Sequence, residues 1–291
     1  MTRFAVFPLL ALALACTEPT SSVFASKPIV IAHRGASWFA PEHTIAAYDR
    51  AVADGADYIE QDIHRTADGV LVVIHDATLD RTASGPASDC SGPVSEKTYE
   101  MLMSCDFGSW FNEANPERAA SGYSQLRIMT LEEVIQRYRG TVGFYIEMKI
   151  PERYPGIEAQ LRDLLNAYGL LDSSPRPMVF VQSFNDQSLR VMRDLDKAVP
   201  IVRLVGTDIP PSFDSFANFA IGVGVPAGMA SAEFVREAHE RCVAVHTFGG
   251  DSNLPGLLAA GVDGIFTDRP DLLRDLVDEE NFTARLKNCP R

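Results

Sequence analysis

Short apolar runs alternate with amphipathic patterns along the chain from residue 29 to residue 267. Brief runs rich in Val, Ile and aromatic residues are typical of strands, whereas apolar residues spaced three or four apart are typical of helices. The pattern predicts strands at 29–33, 58–64, 70–75, 142–149, 178–183, 201–205, 220–225, 243–247 and 265–267. It predicts helices between them, at 44–53, 131–138, 157–167, 186–195, 232–241 and 253–260.

The connection between the second and third predicted strands is much shorter than the others. It is too short for a crossover helix, and its Asp68-Gly69 pair is a strong signal for a two-residue hairpin turn. We therefore predict that 70–75 folds back antiparallel, with Ala67 paired to Val70. Eight strands separated by helices remain, which is typical of an α/β protein with a TIM-type (β/α)8 barrel. The antiparallel hairpin and a loop-rich insertion then follow the second barrel strand.

The predicted insertion covers residues 80–127, is rich in Gly, Ser and Pro, and contains Cys90 and Cys105. Loops of this length in a compact domain are usually functional or cross-linked, and we expect this one to lie over one mouth of the barrel. Two further cysteines, Cys242 and Cys289, follow later in the chain. Four cysteines allow three pairings. We favour Cys90 with Cys105 and Cys242 with Cys289; the alternative is four free thiols.

The N-terminal segment has the layout of a secretory signal peptide. Arg3 supplies a positive charge, an apolar run covers 4–16, and Ala25 ends a suitable cleavage site. We therefore predict that residues 1–25 are a signal peptide and that the protein is exported, either to a periplasm or out of the cell. The apolar run is too short for a lasting membrane span.

Lipoprotein processing at Cys16 is the alternative, because the small Ala15 suits it although the bulky Leu14 does not. Residues 26–291 are predicted to form one barrel domain. The formal net charge of −13 argues against a nucleic acid or an anionic membrane as a partner, because phosphates would be repelled. A site for a small phosphate compound must then create its own positive field, for example with a bound cation. The sequence leaves the oligomeric state open.

Polar residues are concentrated where predicted barrel strands end, which is the mouth at which TIM-barrel sites lie. Glu60 and Asp62 are two residues apart and should face the same side of their strand, as should Glu147 and Lys149. Ile59, Ile63 and Ile146, which alternate with these residues, should then face the helices. Carboxylates that converge repel one another unless they are protonated or bind a metal. An all-oxygen cluster of this kind favours Ca²⁺ or Mg²⁺.

Two histidines are predicted to flank this carboxylate cluster. Counting back from the hairpin turn places His75 opposite Asp62, on the same face. His33 ends the first strand and would face His75 across the site. Two histidines beside a cation suggest a general acid and a general base. Arg34 and Lys149 supply the positive charge that a phosphodiester needs.

These motifs, together with others, resemble the glycerophosphodiester phosphodiesterase family. The matching stretches are His33-Arg34-Gly35, Pro41-Glu42-His43-Thr44, Glu60-Gln61-Asp62, Asp68-Gly69, Val72-Val73-Ile74-His75-Asp76, Leu79-Asp80-Arg81-Thr82, Thr130-Leu131-Glu132-Glu133-Val134, Glu147-Met148-Lys149 and Gly261-Val262-Asp263-Gly264-Ile265-Phe266-Thr267-Asp268-Arg269-Pro270. They occur in the family's order and span nearly the whole chain after the predicted signal peptide. Each is weak alone, but together they are specific.

The resemblance implies an acid/base pair of histidines, three carboxylate ligands for one divalent cation and two basic contacts to the substrate phosphate. The implied acid/base pair is His33 and His75, and the implied cation ligands are Glu60, Asp62 and Glu147. The implied phosphate contacts are Arg34 and Lys149. Ca²⁺ is favoured over Mg²⁺. Glu42 either supports this site by orienting Arg34 or only precedes the first helix. In this family the substrate's own hydroxyl is thought to attack phosphorus, and water then opens the resulting cyclic phosphate.

The expected reaction is metal-dependent hydrolysis of glycerophosphodiesters, such as glycerophosphocholine, to glycerol 3-phosphate and an alcohol. One alternative is a phospholipase D-type hydrolysis of lysophospholipids or sphingolipids, and another is a protein that binds glycerophosphodiesters without cleaving them. Two departures from the family leave the preferred alcohol open. His43 stands where the family usually has Asn, and residues 245–248 stand where Trp-Thr-Val-Asn is common.

Overall fold

A computed structural model describes residues 27–171, 177–206 and 212–279. The predicted signal peptide, the alternative processing site at Cys16, and Cys289 all lie outside the described residues. Within the described ranges, no helix is both long enough and apolar enough to cross a membrane.

The described residues form one nine-stranded sheet whose strands match the nine predicted ones closely. The strands are β1 (Ile29–Ala32), β2 (Tyr58–Arg65), β3 (Leu71–Val73), β4 (Gly143–Met148), β5 (Val179–Ser183), β6 (Ile201–Leu204), β7 (Gly222–Pro226), β8 (Ala244–Phe248) and β9 (Gly264–Thr267). Eight of them run parallel in the order β1-β2-β4-β5-β6-β7-β8-β9, and β9 pairs again with β1. The sheet is therefore closed, and the predicted TIM-type barrel is confirmed.

Helices connect most of the barrel strands. They are α1 (Ile45–Ala53), α2 (Ala87–Cys90), α3 (Tyr99–Leu102), α4 (Ser109–Ala114), α5 (Leu131–Tyr138), α6 (Ile157–Ala167), α7 (Asp186–Leu195), α8 (Ala232–Glu240), α9 (Leu254–Ala260) and α10 (Pro270–Glu279). The sequence explains where several begin. The Thr130 side chain accepts from the Glu133 backbone while the Glu133 carboxylate accepts from the Thr130 backbone, which is a capping box that starts α5.

The barrel strands carry two apolar layers because their side chains alternate between the interior and the helices. The outward layer packs against the helices and includes Ile59, Ile63 and Ile146, as predicted. The inward layer fills the barrel below the polar mouth. Its buried members are Ile29, Ile31, Tyr58, Tyr145, Phe180, Val202 and Phe266. The polar side chains of Glu60, Asp62 and Glu147, on β2 and β4, lie at the mouth above this layer.

The hairpin between β2 and β3 has a different turn from the predicted one. The backbone N–H of Thr66 donates to the carbonyl of Val70 at 3.0 Å, so Thr66 rather than Ala67 faces Val70. The loop therefore holds the three residues 67–69. Gly69 ends it with φ of 88°, a conformation that costs glycine little and other residues more.

This turn shifts the pairing of the two strands by one residue. Asp62 lies beside Ile74, whose backbone N–H donates to the Asp62 carbonyl at 2.9 Å, so the predicted pairing of Asp62 with His75 is wrong. The strand itself ends at Val73. Because the chain leaves the sheet after Ile74, strand alternation does not decide the direction of His75, and the following loop turns its side chain toward the site.

The insertion, residues 80–127, contains the short helices α2, α3 and α4 and has an apolar cluster separate from the barrel. In the structure, Sγ of Cys90 lies 2.09 Å from Sγ of Cys105, which is the favoured pairing. The insertion also contacts the loop after β1. Its Arg118 guanidinium lies 4.1 Å from the centre of the Trp38 ring. It therefore lies beside the carboxyl-terminal mouth of the barrel, as expected.

Candidate active site

His33 follows β1 at the mouth of the barrel. Its Nδ1 lies 2.8 Å from Oδ1 of Asp268, the first residue after β9. The hydroxyl of Ser37 donates to the same Asp268 oxygen at 2.8 Å. Burial tends to raise the pKa of Asp268, but the hydrogen bond and charge of His33 outweigh burial and lower the pKa. Asp268 is therefore ionised and fixes the ring of His33, with Nε2 left for another partner.

Arg34 is held at the edge of three carboxylates. Its backbone N–H donates to Glu60 at 2.8 Å, Nη1 donates to Glu42 at 3.2 Å, and Nε lies 3.7 Å from Asp62. The backbone turns sharply here, and a Cβ on the next residue, Gly35, would lie only 2.7 Å from the Cβ of Ala47. Glycine is required at this point, because it lets the loop approach α1 closely.

The carboxylates of Glu60 and Asp62 extend from β2 into the mouth, and both side chains are almost fully buried. The structure adds a residue that the sequence did not assign, because Nε2 of His43 lies 2.9 Å from Oδ2 of Asp62. Ligand atoms of His43, Glu60 and Asp62 all lie within 4.8 Å of one another. The sequence signal for His43 is its place in the Pro41-Glu42-His43-Thr44 stretch.

Glu147 reaches the same edge from β4, and Lys149 follows directly after that strand. Glu147 pairs with Asp62 in the register of the parallel strands. The Lys149 ammonium group lies 3.0 Å from Glu147 and 3.6 Å from Asp62. Glu147 thus lies beside Asp62 with Lys149 between the two carboxylates, whereas the ligand atoms that lie within 4.8 Å of one another belong to His43, Glu60 and Asp62.

The pKa values of the three carboxylates reflect their burial and their mutual repulsion. Burial and the Asp62 carboxylate raise the pKa of Glu60 well above its ordinary value, and the same two causes raise that of Glu147 to about 8. Burial opposes ionisation of Asp62 too, but the His43 hydrogen bond and the Lys149 charge bring its pKa well below the ordinary value. Burial and the Asp62 charge thus oppose ionisation of Glu60 and Glu147, and a bound cation would favour their ionised forms.

These residues fit a divalent cation. Oδ1 of Asp62 is buried and accepts no hydrogen bond among the described residues, and the Lys149 ammonium group lies 3.6 Å from it. A buried carboxylate oxygen without a donor costs free energy unless a cation or water meets it. The donor set is mainly carboxylate oxygen, which suits hard cations such as Ca²⁺ and Mg²⁺.

His75 lies on the insertion side of the mouth and is supported by a chain of ion pairs. Its Nδ1 lies 2.6 Å from Asp76, and the Arg81 guanidinium binds Asp76 at 2.6 Å and Glu42 at 2.6 Å. Burial lowers the pKa of His75, and the charges of Arg34 and Lys149 act in the same direction. Glu42 accepts from both Arg34 and Arg81, so its contacts favour the orienting role over a helix start.

Two other histidines have structural partners. His64 Nδ1 lies 2.9 Å from the Tyr154 hydroxyl, and His246 Nδ1 lies 2.6 Å from the Tyr145 hydroxyl inside the barrel. Burial lowers the pKa of each to about 4, so both are neutral at pH 7.

Comparisons with known proteins agree with this geometry. The model of the glycerophosphoryl diester phosphodiesterase family matches residues 33–272. A glycerophosphodiester phosphodiesterase of Bacillus subtilis (strain 168) is 37% identical over 252 residues, which cover 84% of this chain and 84% of the relative.

Two solved structures are also similar. A glycerophosphodiester phosphodiesterase from Agrobacterium tumefaciens has a TM-score of 0.68 and 28% identity, covering 84% of this chain and 99% of that one. An Oleispira antarctica phosphodiesterase in complex with the product sn-glycerol-3-phosphate has a TM-score of 0.75 and 25% identity, covering 88% of this chain and 99% of that one. Because the family model matches residues 33–272 and the Bacillus relative is 37% identical over most of both chains, this chain belongs to the glycerophosphodiester phosphodiesterase family and is a phosphoric diester hydrolase.

Proposed function

We propose that this protein hydrolyses glycerophosphodiesters to glycerol 3-phosphate and an alcohol, with a divalent cation and two-histidine acid/base catalysis. One observation carries the proposal. His33 and His75 flank the buried carboxylate cluster, and each is hydrogen-bonded through Nδ1 to an aspartate. That arrangement fixes the tautomer and leaves Nε2 to exchange a proton with substrate.

The cation would be held by Glu60, Asp62 and Glu147, with His43 orienting Asp62 through its hydrogen bond. The three oxygen ligands favour Ca²⁺ over Mg²⁺, because Ca²⁺ accepts irregular sets of carboxylates more readily. When bound, such a cation polarises a phosphoryl oxygen and stabilises developing negative charge.

Arg34 and Lys149 orient the phosphodiester through its anionic oxygens. The substrate's vicinal hydroxyl attacks phosphorus while one histidine accepts its proton at Nε2. The bond from phosphorus to the alcohol then breaks, and the other histidine donates a proton to the departing oxygen from its Nε2. Water opens the cyclic phosphate with the two proton transfers reversed, which yields glycerol 3-phosphate and restores both histidines.

The test is a metal-resolved assay of the purified protein against several glycerophosphodiesters, with enzymatic detection of glycerol 3-phosphate. We expect turnover that disappears with chelator and returns with added Ca²⁺. A protein that binds these compounds and releases no product would contradict the proposal. Lysophosphatidylcholine is included because faster turnover of that lipid than of glycerophosphocholine would favour the phospholipase D-type alternative.

Export through a signal peptide of residues 1–25 remains part of the proposal. The Cys90–Cys105 bond supports it, because disulfides persist mainly in oxidising compartments. Sequencing the mature N-terminus tests it. A mature chain that starts at residue 26 agrees with the prediction, and a lipid-modified Cys16 would establish the alternative.

A further inference from the structure

A cavity of about 640 Å³ opens beside the catalytic cluster. On one side it is lined by His75, Glu147 and Lys149. It is also lined by residues 150–152, which follow β4, and by residues 183–185, where β5 ends. Because the cavity begins at a phosphate-binding lysine and a catalytic histidine, a group attached to the substrate phosphate extends into it.

The charges that line this cavity are mostly compensated within the protein. The Lys149 ammonium group lies 3.0 Å from Glu147. Asp76 binds Arg81 at 2.6 Å. Glu152 differs, since no cationic side chain of the described residues lies within ion-pair distance of its carboxylate. Among the described residues that line the cavity, Glu152 is thus a carboxylate whose charge has no cationic side chain beside it.

The position of Glu152 is fixed by the local structure. Its Oε2 accepts from the side-chain amide of Asn185 at 3.0 Å, and Asn185 in turn caps α7 by accepting from the Ser188 backbone at 3.0 Å. Because its nitrogen donates one bond and its oxygen accepts the other, the Asn185 amide can adopt only one orientation. Ile150 precedes this turn with φ of 44°, and a β-branched residue before Pro151 pays a steric cost in that conformation. Such strain persists where the surrounding structure requires a particular backbone path.

An aromatic ring completes the wall. Phe184 follows β5 and is 50% exposed, an unusual state for a large apolar side chain at the mouth of a polar site. It contacts Phe248 edge to face, with ring centres 6.3 Å apart, and Phe248 ends β8. The ring therefore has a fixed position and an accessible face.

We propose that this cavity binds the leaving alcohol of the substrate and selects an alcohol with a quaternary ammonium group, through the Glu152 carboxylate and the Phe184 ring. The inference rests on the proposed function. A carboxylate and an exposed aromatic face that line the same cavity attract such a cation by both charge and cation–π interaction. A neutral alcohol such as glycerol gains neither contribution.

The test compares full-length Glu152→Gln and Phe184→Leu variants with the wild type on glycerophosphocholine and glycerophosphoglycerol. Glu152→Gln keeps the size of the side chain while removing the charge, and Phe184→Leu keeps an apolar side chain while removing the aromatic face. We expect each variant to lower kcat/KM for the choline diester about tenfold more than for the glycerol diester, mainly through KM. Glu279→Gln, the same charge change at the last residue of α10, is the control and should leave the ratio of the two activities unchanged.

Equal losses on the two substrates, or no loss on either, would overturn the selectivity inference while the hydrolase function stands. A second measurement keeps the two separable. Tetramethylammonium binding, followed by calorimetry, should be detectable in the wild type and weakened about tenfold in Glu152→Gln. If no diester is hydrolysed but this binding difference is found, the proposed function fails and the cation-binding cavity stands. Equal binding to both proteins would reject the cavity assignment.

Discussion

The two candidate acid/base histidines sit on opposite sides of one mouth and are supported in different ways. His33 is held by Asp268, and the two residues follow the neighbouring barrel strands β1 and β9. His75 is held by its chain neighbour Asp76, which Arg81 binds from the start of the insertion. One histidine is thus fixed by the closed sheet, and the other by side chains that lie beyond it.

The difference teaches that the two halves of the acid/base pair depend on different parts of the protein. Closure of the barrel positions His33 because parallel strands fix where their ends meet. The insertion positions His75 through the contacts of Arg81 with Asp76 and Glu42. We therefore expect loss of the Arg81 contacts to act mainly through His75, because the bond between His33 and Asp268 involves no residue of the insertion.

The largest expected effect tests whether both histidines are needed at all. His33→Ala and His75→Ala should each lower kcat at least about 1000-fold, because proton transfer at one end of the reaction is lost. The measurement is steady-state turnover of glycerophosphocholine, with circular dichroism and thermal unfolding to verify the fold. His239→Ala, on the outer helix α8, is the matched control. Near-normal turnover in either site variant removes that histidine from the mechanism.

The second prediction concerns the stability of the insertion. Replacing Cys90 and Cys105 together by Ser should lower the free energy of unfolding by about 3 kcal/mol, because the bond closes a loop of 15 residues. Urea denaturation measures the change. Dithiothreitol should lower the stability of the wild type by about this amount more than that of the double variant, because only the wild type has the Cys90–Cys105 bond to lose. A variant as stable as the wild type would show that the bond contributes nothing to the fold.

The third prediction concerns the His33 side. Asp268→Asn should lower kcat about 100-fold with little change in KM, because the amide no longer stabilises the protonated ring or fixes its tautomer. Asp268→Glu restores the charge and should recover part of the loss. Equal kcat values for the Asn and Glu variants would show that the negative charge is not what Asp268 contributes.

The smallest expected effect concerns the His75 side. Arg81→Met should lower kcat about tenfold, because Asp76 and Glu42 lose a shared guanidinium and His75 loses its fixed orientation. Arg137→Met removes a comparable ion pair with Asp49 on the outer helices and should leave kcat unchanged. If Arg81→Met retains full activity, the different ways in which His33 and His75 are held have no effect on catalysis.

Much of the site was predictable because strand alternation is a local property. Glu60 and Asp62 share a face in any strand, and β4 repeats the pattern with Glu147 and Lys149. The hairpin shows where such reasoning ends. A turn of two residues and a turn of three have nearly the same sequence signal. The chain forms the three-residue turn that ends at Gly69, and the strand pairing therefore differs from the predicted one by one residue.

Contacts between distant segments were the other limit. The sequence around His43 does not predict the contact of its ring with Asp62, because that contact forms only when the loop after β1 folds over β2. Asp268 belongs to a recognisable motif, but its bond to His33 joins residues that are 235 positions apart. The cavity of Glu152 and Phe184 likewise depends on two loops whose separation in space is set by the barrel.

The sequence by itself determined the alternation of strands and helices, the inward direction of the carboxylates and the types of residue available for chemistry, since each depends on near neighbours in the chain. Only the tertiary structure decided which aspartate holds which histidine, how the hairpin is paired and which charges remain uncompensated. Those features depend on distances between segments that meet when the sheet closes, and the closure brings together residues that no local pattern relates.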